Sequence, residues 1–293
     1  MRRARTERPE NFEVDLSHPL MRGAVFLGLG QAHHSIRYRD ESQYGNHGVL
    51  TGYTGAGDTP ADRWVWIDTL GRRGLGFDGS DDYVLSPCPL VLSTTSPLSA
   101  SWWSKAPSVY SLKVFLAIQT ATGNAYQLIS VWYASGYNGL FCGRISTANL
   151  SARPSVAITQ TDWHHFCLTC IGGSSALVLY VDGKLNSAVA NANVGTGNPG
   201  IYLGYAYSSY YTALTMADVI VHSRVLSAAE IMRLADPSNV MMSGAIREPR
   251  PRRSFVGQAG APAASVAVRY GGALRAGCSG GVGVRRGGAL RGA

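Results

Sequence analysis

The sequence predicts an all-β protein: a two-sheet antiparallel jelly-roll sandwich with one short C-terminal helix and a low-complexity basic tail. Three observations carry this. About a dozen short apolar runs recur at regular spacing between residues 20 and 240, separated by turn residues. Thr161 to Ala190 places three such runs in succession, which is a β-meander. Only one stretch, Leu226 to Pro237, has helical spacing with a start and a stop signal.

The meander sets the pattern. Trp163 to Ile171 is rich in aromatic and β-branched residues, and Gly172-Gly173-Ser174-Ser175 breaks it. Leu177 to Val181 follows, then Asp182-Gly183, then Lys184 to Ala190. An Asp-Gly pair between apolar runs predicts a tight hairpin, because a type I′ turn needs positive φ at both central residues. Upstream, strands are predicted at Ala24–Leu29 and around Val49, with a polar loop between them and a long surface loop at 52–63. Leu75 to Val84 reads as strand, turn, strand, and Ser99 to Ser104 as a strand with two adjacent tryptophans. Val114–Ile118, Ala125–Tyr133, Gly139–Ile145, Ser155–Thr159, Ile201–Tyr205 and Thr215–His222 complete the set. The helix begins with Ser227 and carries Glu230 three residues on, a capping box, and Asp236-Pro237 ends it.

Charge divides the chain. It holds 26 basic and 18 acidic residues, of which nine and one lie beyond residue 244, so 17 of each remain in the body. A neutral body gives no argument for nucleic-acid binding; only the tail does, and nonspecifically. The reading is therefore a polar arm at 1–17, one jelly-roll domain at 18–244 and a basic Pro/Gly/Arg-rich tail at 245–293, in which Gly-Gly-Ala-Leu-Arg occurs at 271–275 and 287–291. No run approaches the roughly 20 apolar residues of a membrane span. The charged N-terminus has no apolar stretch behind it, so synthesis in the cytosol without a signal peptide is expected. Five cysteines, Cys88, Cys142, Cys167, Cys170 and Cys278, show no disulfide framework.

Four segments together resemble the laminin-G-like, concanavalin A-like lectin modules. They are Asp40-Glu41-Ser42-Gln43-Tyr44-Gly45-Asn46-His47-Gly48, then Phe77 to Val84, then Trp163 to Phe166 with Tyr180-Val181-Asp182-Gly183, and last Ala217 to Val221 followed by Arg224 to Ile231. Their order and spacing match over roughly residues 20–240. Gln43 stands where the family has Gly. The resemblance specifies the fold more than the function, since the fold serves lectins, glycanases, adhesion modules and virion proteins. This architecture without an export signal is similar to that of phage or prophage virion-associated proteins.

The resemblance implies a structural Ca²⁺ held by Asp40, Asn46 and loop carbonyls, and closed by Asp218 from the last strand. Hard oxygen donors on a tight loop suit that ion. The alternative is that these polar residues satisfy the turn themselves through Asx-type hydrogen bonds. A second candidate site is the aromatic-rich stretch Tyr205, Tyr207, Tyr210 and Tyr211, beside Tyr202: rings stack on sugar faces and phenols add polar contacts. A protein contact would use the same residues.

Other motifs reduce to packing. Neighbours on a strand point to opposite faces, so His164 and His165 cannot share an ion, and the odd separation of Cys167 and Cys170 splits them likewise. The chain has six Glu, three in the arm, then Glu41, the helix cap Glu230 and Glu248 in the tail. No strand carries the paired carboxylates of a glycoside hydrolase. The expectation is a non-catalytic binding or adhesion module for a glycan or protein ligand, set on a phage virion surface. A structural capsid or tail decoration, anchored to homo-oligomer or virion subunits through its terminal extensions, is the alternative. A divergent glycoside hydrolase stands behind both.

Overall fold

The computed structural model describes residues 13–30, 36–53, 63–91, 96–105, 113–120, 127–134, 139–144, 150–152, 162–171, 177–189, 199–206, 210–237 and 246–247. Its strands in chain order are β1 (Glu13–Val14), β2 (Ala24–Gly28), β3 (Arg37–Tyr38), β4 (Gly48–Thr51), β5 (Trp64–Ile67), β6 (Arg72–Asp78) and β7 (Tyr83–Pro87). They continue as β8 (Pro97–Lys105), β9 (Lys113–Thr120), β10 (Gln127–Ala134), β11 (Gly139–Arg144), β12 (Leu150–Ala152), β13 (Trp163–Ile171) and β14 (Leu177–Val181). The last are β15 (Lys184–Val189), β16 (Pro199–Leu203), β17 (Tyr205–Ala206), β18 (Tyr210–Tyr211), β19 (Ala213–His222) and β20 (Ile246–Arg247). A single helix, α1 (Ala228–Leu234), and a 3₁₀ turn at Pro19–Met21 complete the described elements.

Two antiparallel sheets face each other, as the sequence predicts. The front sheet runs β12-β11-β10-β9-β16-β7-β4-β3. The back sheet runs β15-β14-β13-β8-β19-β6-β5, with β2 also on β19. Neighbours far apart in sequence, such as β8 between β13 and β19, mark the jelly-roll winding. The meander is β13-β14-β15, and its turn has φ of 50° at Asp182 and 75° at Gly183. The Tyr205–Tyr211 loop is a small hairpin of its own, β17-β18. Strands β3 and β5 go beyond the prediction: β3 has two residues, and Trp64-Val65-Trp66-Ile67 is apolar throughout, with no alternation to read. Ser155–Thr159 lies outside the described residues.

The core between the sheets is aromatic. Trp102, Phe115 and Phe166 form one triangle with ring centroids 5.6–6.3 Å apart, and Phe26, Tyr38 and Trp64 form a stacked column. Strand β8 alternates Leu98, Ala100 and Trp102 into this core with Ser99, Ser101 and Trp103 outward, yet it is buried between its ends. Ser99 and Ser101 are covered because α1 and the 3₁₀ turn pack on that part of the back sheet's outer face, where Leu20, Leu27, Cys167, Ile220, Ile231 and Leu234 form a second cluster, while Trp103 packs with Ile67, Leu70 and Ala217. Ser99 Oγ pins this cover, donating to Arg224 O at 2.9 Å and accepting from Leu226 N at 3.0 Å. The capping box on Ser227 and Glu230 is formed, and Arg224 clamps Glu230 at 2.7 and 3.0 Å while donating to the carbonyls of Pro19 and Arg22. That clamp holds the Glu230 carboxyl down at about 2, chiefly through the Arg224 hydrogen bonds.

Strand alternation disposes of the paired His and paired Cys. His165 lies opposite Trp103 on the outer side, and His164 binds Asp182 Oδ2 at 2.7 Å. Cys167 packs under the helix and Cys170 in the inter-sheet core. Burial pushes both thiols up, that of Cys170 to about 11, so neither is a nucleophile at neutral pH. The arm and the start of the tail each contribute one strand: β1 pairs with β20, Glu13 opposite Arg247 and Val14 opposite Ile246. No helix among the described residues is long and apolar enough to cross a membrane.

Candidate functional site

The tyrosines gather on the outer face of the front sheet. Tyr202 on β16 and Tyr83 on the adjacent β7 point outward, over Val114, Ala117 and Leu85. The β17-β18 hairpin folds back across them and adds Tyr205 and Tyr211. Tyr205 stacks on Tyr83 at 4.9 Å, meets Tyr211 at 5.0 Å and lies 5.9 Å from Tyr202. Gly204 makes the fold-back possible: its φ is 75°, and a Cβ there would sit 2.7 Å from the Phe77 ring. Thr212 anchors the hairpin's return, donating N–H to Gly204 O and accepting from Val114 N at 2.6 Å.

The phenols converge as well as the rings. Burial raises the Tyr202 and Tyr211 hydroxyls, and in both cases the nearby Tyr83 hydroxyl adds to the effect. Asp81 pushes Tyr211 in the same direction, and Gln119 hydrogen-bonds Tyr202. The patch thus offers partly exposed aromatic faces fringed with protonated hydroxyls, one amide and one carboxylate. Of the tyrosines named from sequence, Tyr205 and Tyr211 are in the patch. Tyr210 stands on β18 opposite Ala206, and Tyr207 lies outside the described residues. Tyr83 is the member that sequence reasoning misses. Its signal is parity: Tyr83 and Leu85 share a face of β7, just after the Asp81-Asp82 turn.

The Asp40 loop is built differently from the expected ion site. Asp40 is 3% exposed, and four donors fill its carboxylate. Oδ1 accepts from Leu27 N and Ser42 N, both at 2.9 Å; Oδ2 accepts from Ser42 Oγ and Asn46 N, both at 2.8 Å. A carboxylate has about four acceptor positions, and here N–H and O–H groups take them. Asn46 contributes its backbone N–H to Asp40 and its carbonyl to Ser86 Oγ at 2.6 Å. Gly45, with φ of 58°, closes the turn.

Asp218 is occupied elsewhere. It sits at a bulge in β19, where the register shifts between Ala217 and Ile220, and its φ is 51°. There it makes a buried ion pair with Arg72 Nη1. Arg72 also donates Nε to Leu70 O at 2.9 Å and Nη2 to Pro237 O at 3.3 Å. The guanidinium supplies the positive charge that a metal would otherwise bring. With these carboxylates engaged by N–H, O–H and guanidinium donors, the donor set does not fit a Ca²⁺ shared by Asp40, Asn46 and Asp218. Among the described residues, the acid cluster that comes together is Asp78, Asp81 and Asp82, at the β6–β7 turn. Asp78 Oδ1 caps Ser80 N at 2.7 Å, Asp82 Oδ2 accepts from Asp78 N at 2.8 Å, and Arg63 lies 3.5 and 3.6 Å from the two carboxylates.

Two sheets in this order, with a C-terminal helix on the outer face, define a lectin-like jelly roll. The chain belongs to the concanavalin A-like lectin/glucanases superfamily, whose laminin G-type family model matches residues 78–232. It is similar in fold to the binding domain of Paraclostridial Mosquitocidal Protein 1, at 13% identity over 74% of this chain and 52% of that one, with a TM-score of 0.54. The receptor binding domain of botulinum neurotoxin C/D mosaic serotype gives 13%, 73%, 51% and 0.55. Trypanosoma rangeli sialidase gives 14%, 73%, 32% and 0.54. The chain spans about half the length of the two toxin domains and a third of the sialidase. No curated protein sequence matches it.

Proposed function

We propose that this protein is a non-catalytic carbohydrate-binding module that recognises glycans through the tyrosine patch and holds its fold without calcium. The observation that carries the reading is the convergence of Tyr83, Tyr202, Tyr205 and Tyr211 with Asp81 and Gln119 on one outer sheet face. Aromatic faces match the C–H faces of pyranose rings, and the fringe supplies hydroxyl partners. The toxin domains of similar fold are themselves binding domains, which accords with this use of the scaffold. Hydrolysis would need a second carboxylate beside Asp81. Those of Asp78 and Asp82 are engaged by backbone N–H groups and Arg63, which supports a binding role.

The setting we propose is the surface of a phage particle, where the neutral module meets the ligand and the arginine-rich tail joins neighbouring subunits. A glycan array tests the binding role. We expect glycan binding that is lost in Tyr205→Ala and Tyr211→Ala; a blank array overturns the lectin reading in favour of a structural part. Particle size measured for the full chain and for a version ending at Gly244 tests the role of the tail.

A further inference from the structure

The back sheet's outer face is covered over only half its extent. Helix α1 and the 3₁₀ turn cover the half built on β2, Cys167 and Ile220. The other half is an open groove of about 620 Å³. Its floor is Ile67, Leu70 and Trp103, which cluster with the buried Ala217, and Trp163 packs against them. Trp66, 38% exposed, forms the far wall on the edge strand β5. The volume is that of a small-molecule site.

The floor is fixed from below. Trp103 lies between its cross-strand neighbours His165 and Ala217, 5.4 Å from the His165 ring, with the Arg72 guanidinium 5.9 Å from its own. Lys105 Nζ sits 5.8 Å from the Trp163 ring. A ligand would meet a surface whose aromatic residues are already held. From β13 to β5 is four strand steps, roughly 19 Å at the usual spacing of neighbouring strands, which accommodates several linked rings.

The polar groups choose among ligands. Asp68, Asp162 and Lys105 are exposed members of the lining, and Thr69 and Thr215 add hydroxyls. The core of a protein interface is depleted of Asp and Lys. Two carboxylates against one ammonium also disfavour an acidic sugar, while carboxylate oxygens accept readily from neutral hydroxyls. We propose that this groove is a second saccharide site, specific for neutral oligosaccharides, on the sheet opposite the tyrosine patch. It rests on the reading of the module as glycan-binding.

The test uses the full chain, titrated with cellohexaose, maltohexaose and N-acetylchitohexaose as neutral probes and 3′-sialyllactose as the acidic one. Tryptophan emission and calorimetry are read together. At least one neutral hexasaccharide should bind and shift the emission. Trp66→Ala, at an exposed position that leaves the core intact, should remove the shift and weaken binding roughly tenfold. Asp162→Asn should weaken it severalfold, and Tyr211→Ala should leave the emission shift in place. A shift that persists in Trp66→Ala, or one seen only with 3′-sialyllactose, overturns the groove. Binding that survives Trp66→Ala and disappears in Tyr211→Ala overturns the groove and keeps the proposed function. No binding by any probe overturns both.

Discussion

Asp40 and Asp218 are both buried aspartates next to the same pair of strands, β2 and β19, and they are stabilised in opposite ways. Asp40 is held by neutral dipoles from close by in the chain: Leu27, Ser42 and Asn46 lie within 13 residues of it. Asp218 is held by a full positive charge 146 residues away. Dipoles require the backbone to curl around the carboxylate, so Asp40 sits in a turn. A guanidinium reaches in from another strand, so Asp218 stays within β19 at the cost of a bulge and a positive φ. The same burial problem is thus solved by local geometry in one place and by tertiary pairing in the other.

The largest effect that would separate the two comes from removing the cation. Arg72→Met leaves Asp218 buried without its guanidinium partner, and we expect a loss of about 3–5 kcal/mol in urea unfolding. Adding Asp218→Leu to it should recover most of the loss, since an apolar pair of similar volume replaces a buried ion pair at little cost. A loss below about 1 kcal/mol for Arg72→Met would mean that Asp218 has other support, and the contrast with Asp40 would fail. Asp40→Ala should cost less, about 2–3 kcal/mol, by stripping acceptors from several N–H groups at once.

Acid distinguishes the two neighbourhoods next. His165 lies beside the Arg72–Asp218 pair, and burial holds its imidazole down at about 3, against a partly compensating pull from Asp182 and Asp218. Above pH 6.5 the ring is neutral in both folded and unfolded chains and contributes nothing. Below it the unfolded chain takes up a proton that the folded one refuses. Stability should therefore fall by roughly 1.4 kcal/mol per pH unit between 6.5 and about 3. His222, held at about 4 mainly by burial, adds the same slope between 6.5 and 4. Urea midpoints at pH 6.5, 5.5 and 4.5 measure this, and His165→Gln should remove one share of the slope. An unchanged slope in that variant would show that the imidazole is not the proton acceptor.

The smallest expected effect is that of calcium. An ion at a hundred times its Kd would add about 2.7 kcal/mol to stability. We expect no change in Tm between EDTA and millimolar Ca²⁺, for the native protein or for Asp40→Asn. A rise of several degrees would rejoin the two aspartates around one ion.

The same division into local and distant explains what the sequence reveals. The Asp182-Gly183 turn, the Ser227–Glu230 box and the splitting of His164 from His165 depend on residues within a few positions of each other, and each is legible. The Asx-type alternative for Asp40 is legible too, in Ser42, Gly45 and Asn46. Arg72 is not: nothing in Leu70-Gly71-Arg72-Arg73 says that one guanidinium will be buried against a strand 146 residues on. Tyr83 joins Tyr205 only because β7 and β9 flank β16, and Trp66 joins Trp163 only through the order of the back sheet. Sites assembled across sheets are set by winding, which a linear reading does not contain.

The pairing of β1 with β20 has a mechanical consequence. Glu13 faces Arg247 and Val14 faces Ile246, so the incoming and outgoing strands run side by side in opposite directions. Tension applied through the segments before Glu13 and after Arg247 would load these pairs one at a time, as a zipper opens, before any strand of the sandwich carried force. The ribbon is a fuse: it parts first, adds slack, and delays the pull on the sheets that carry the tyrosines and tryptophans.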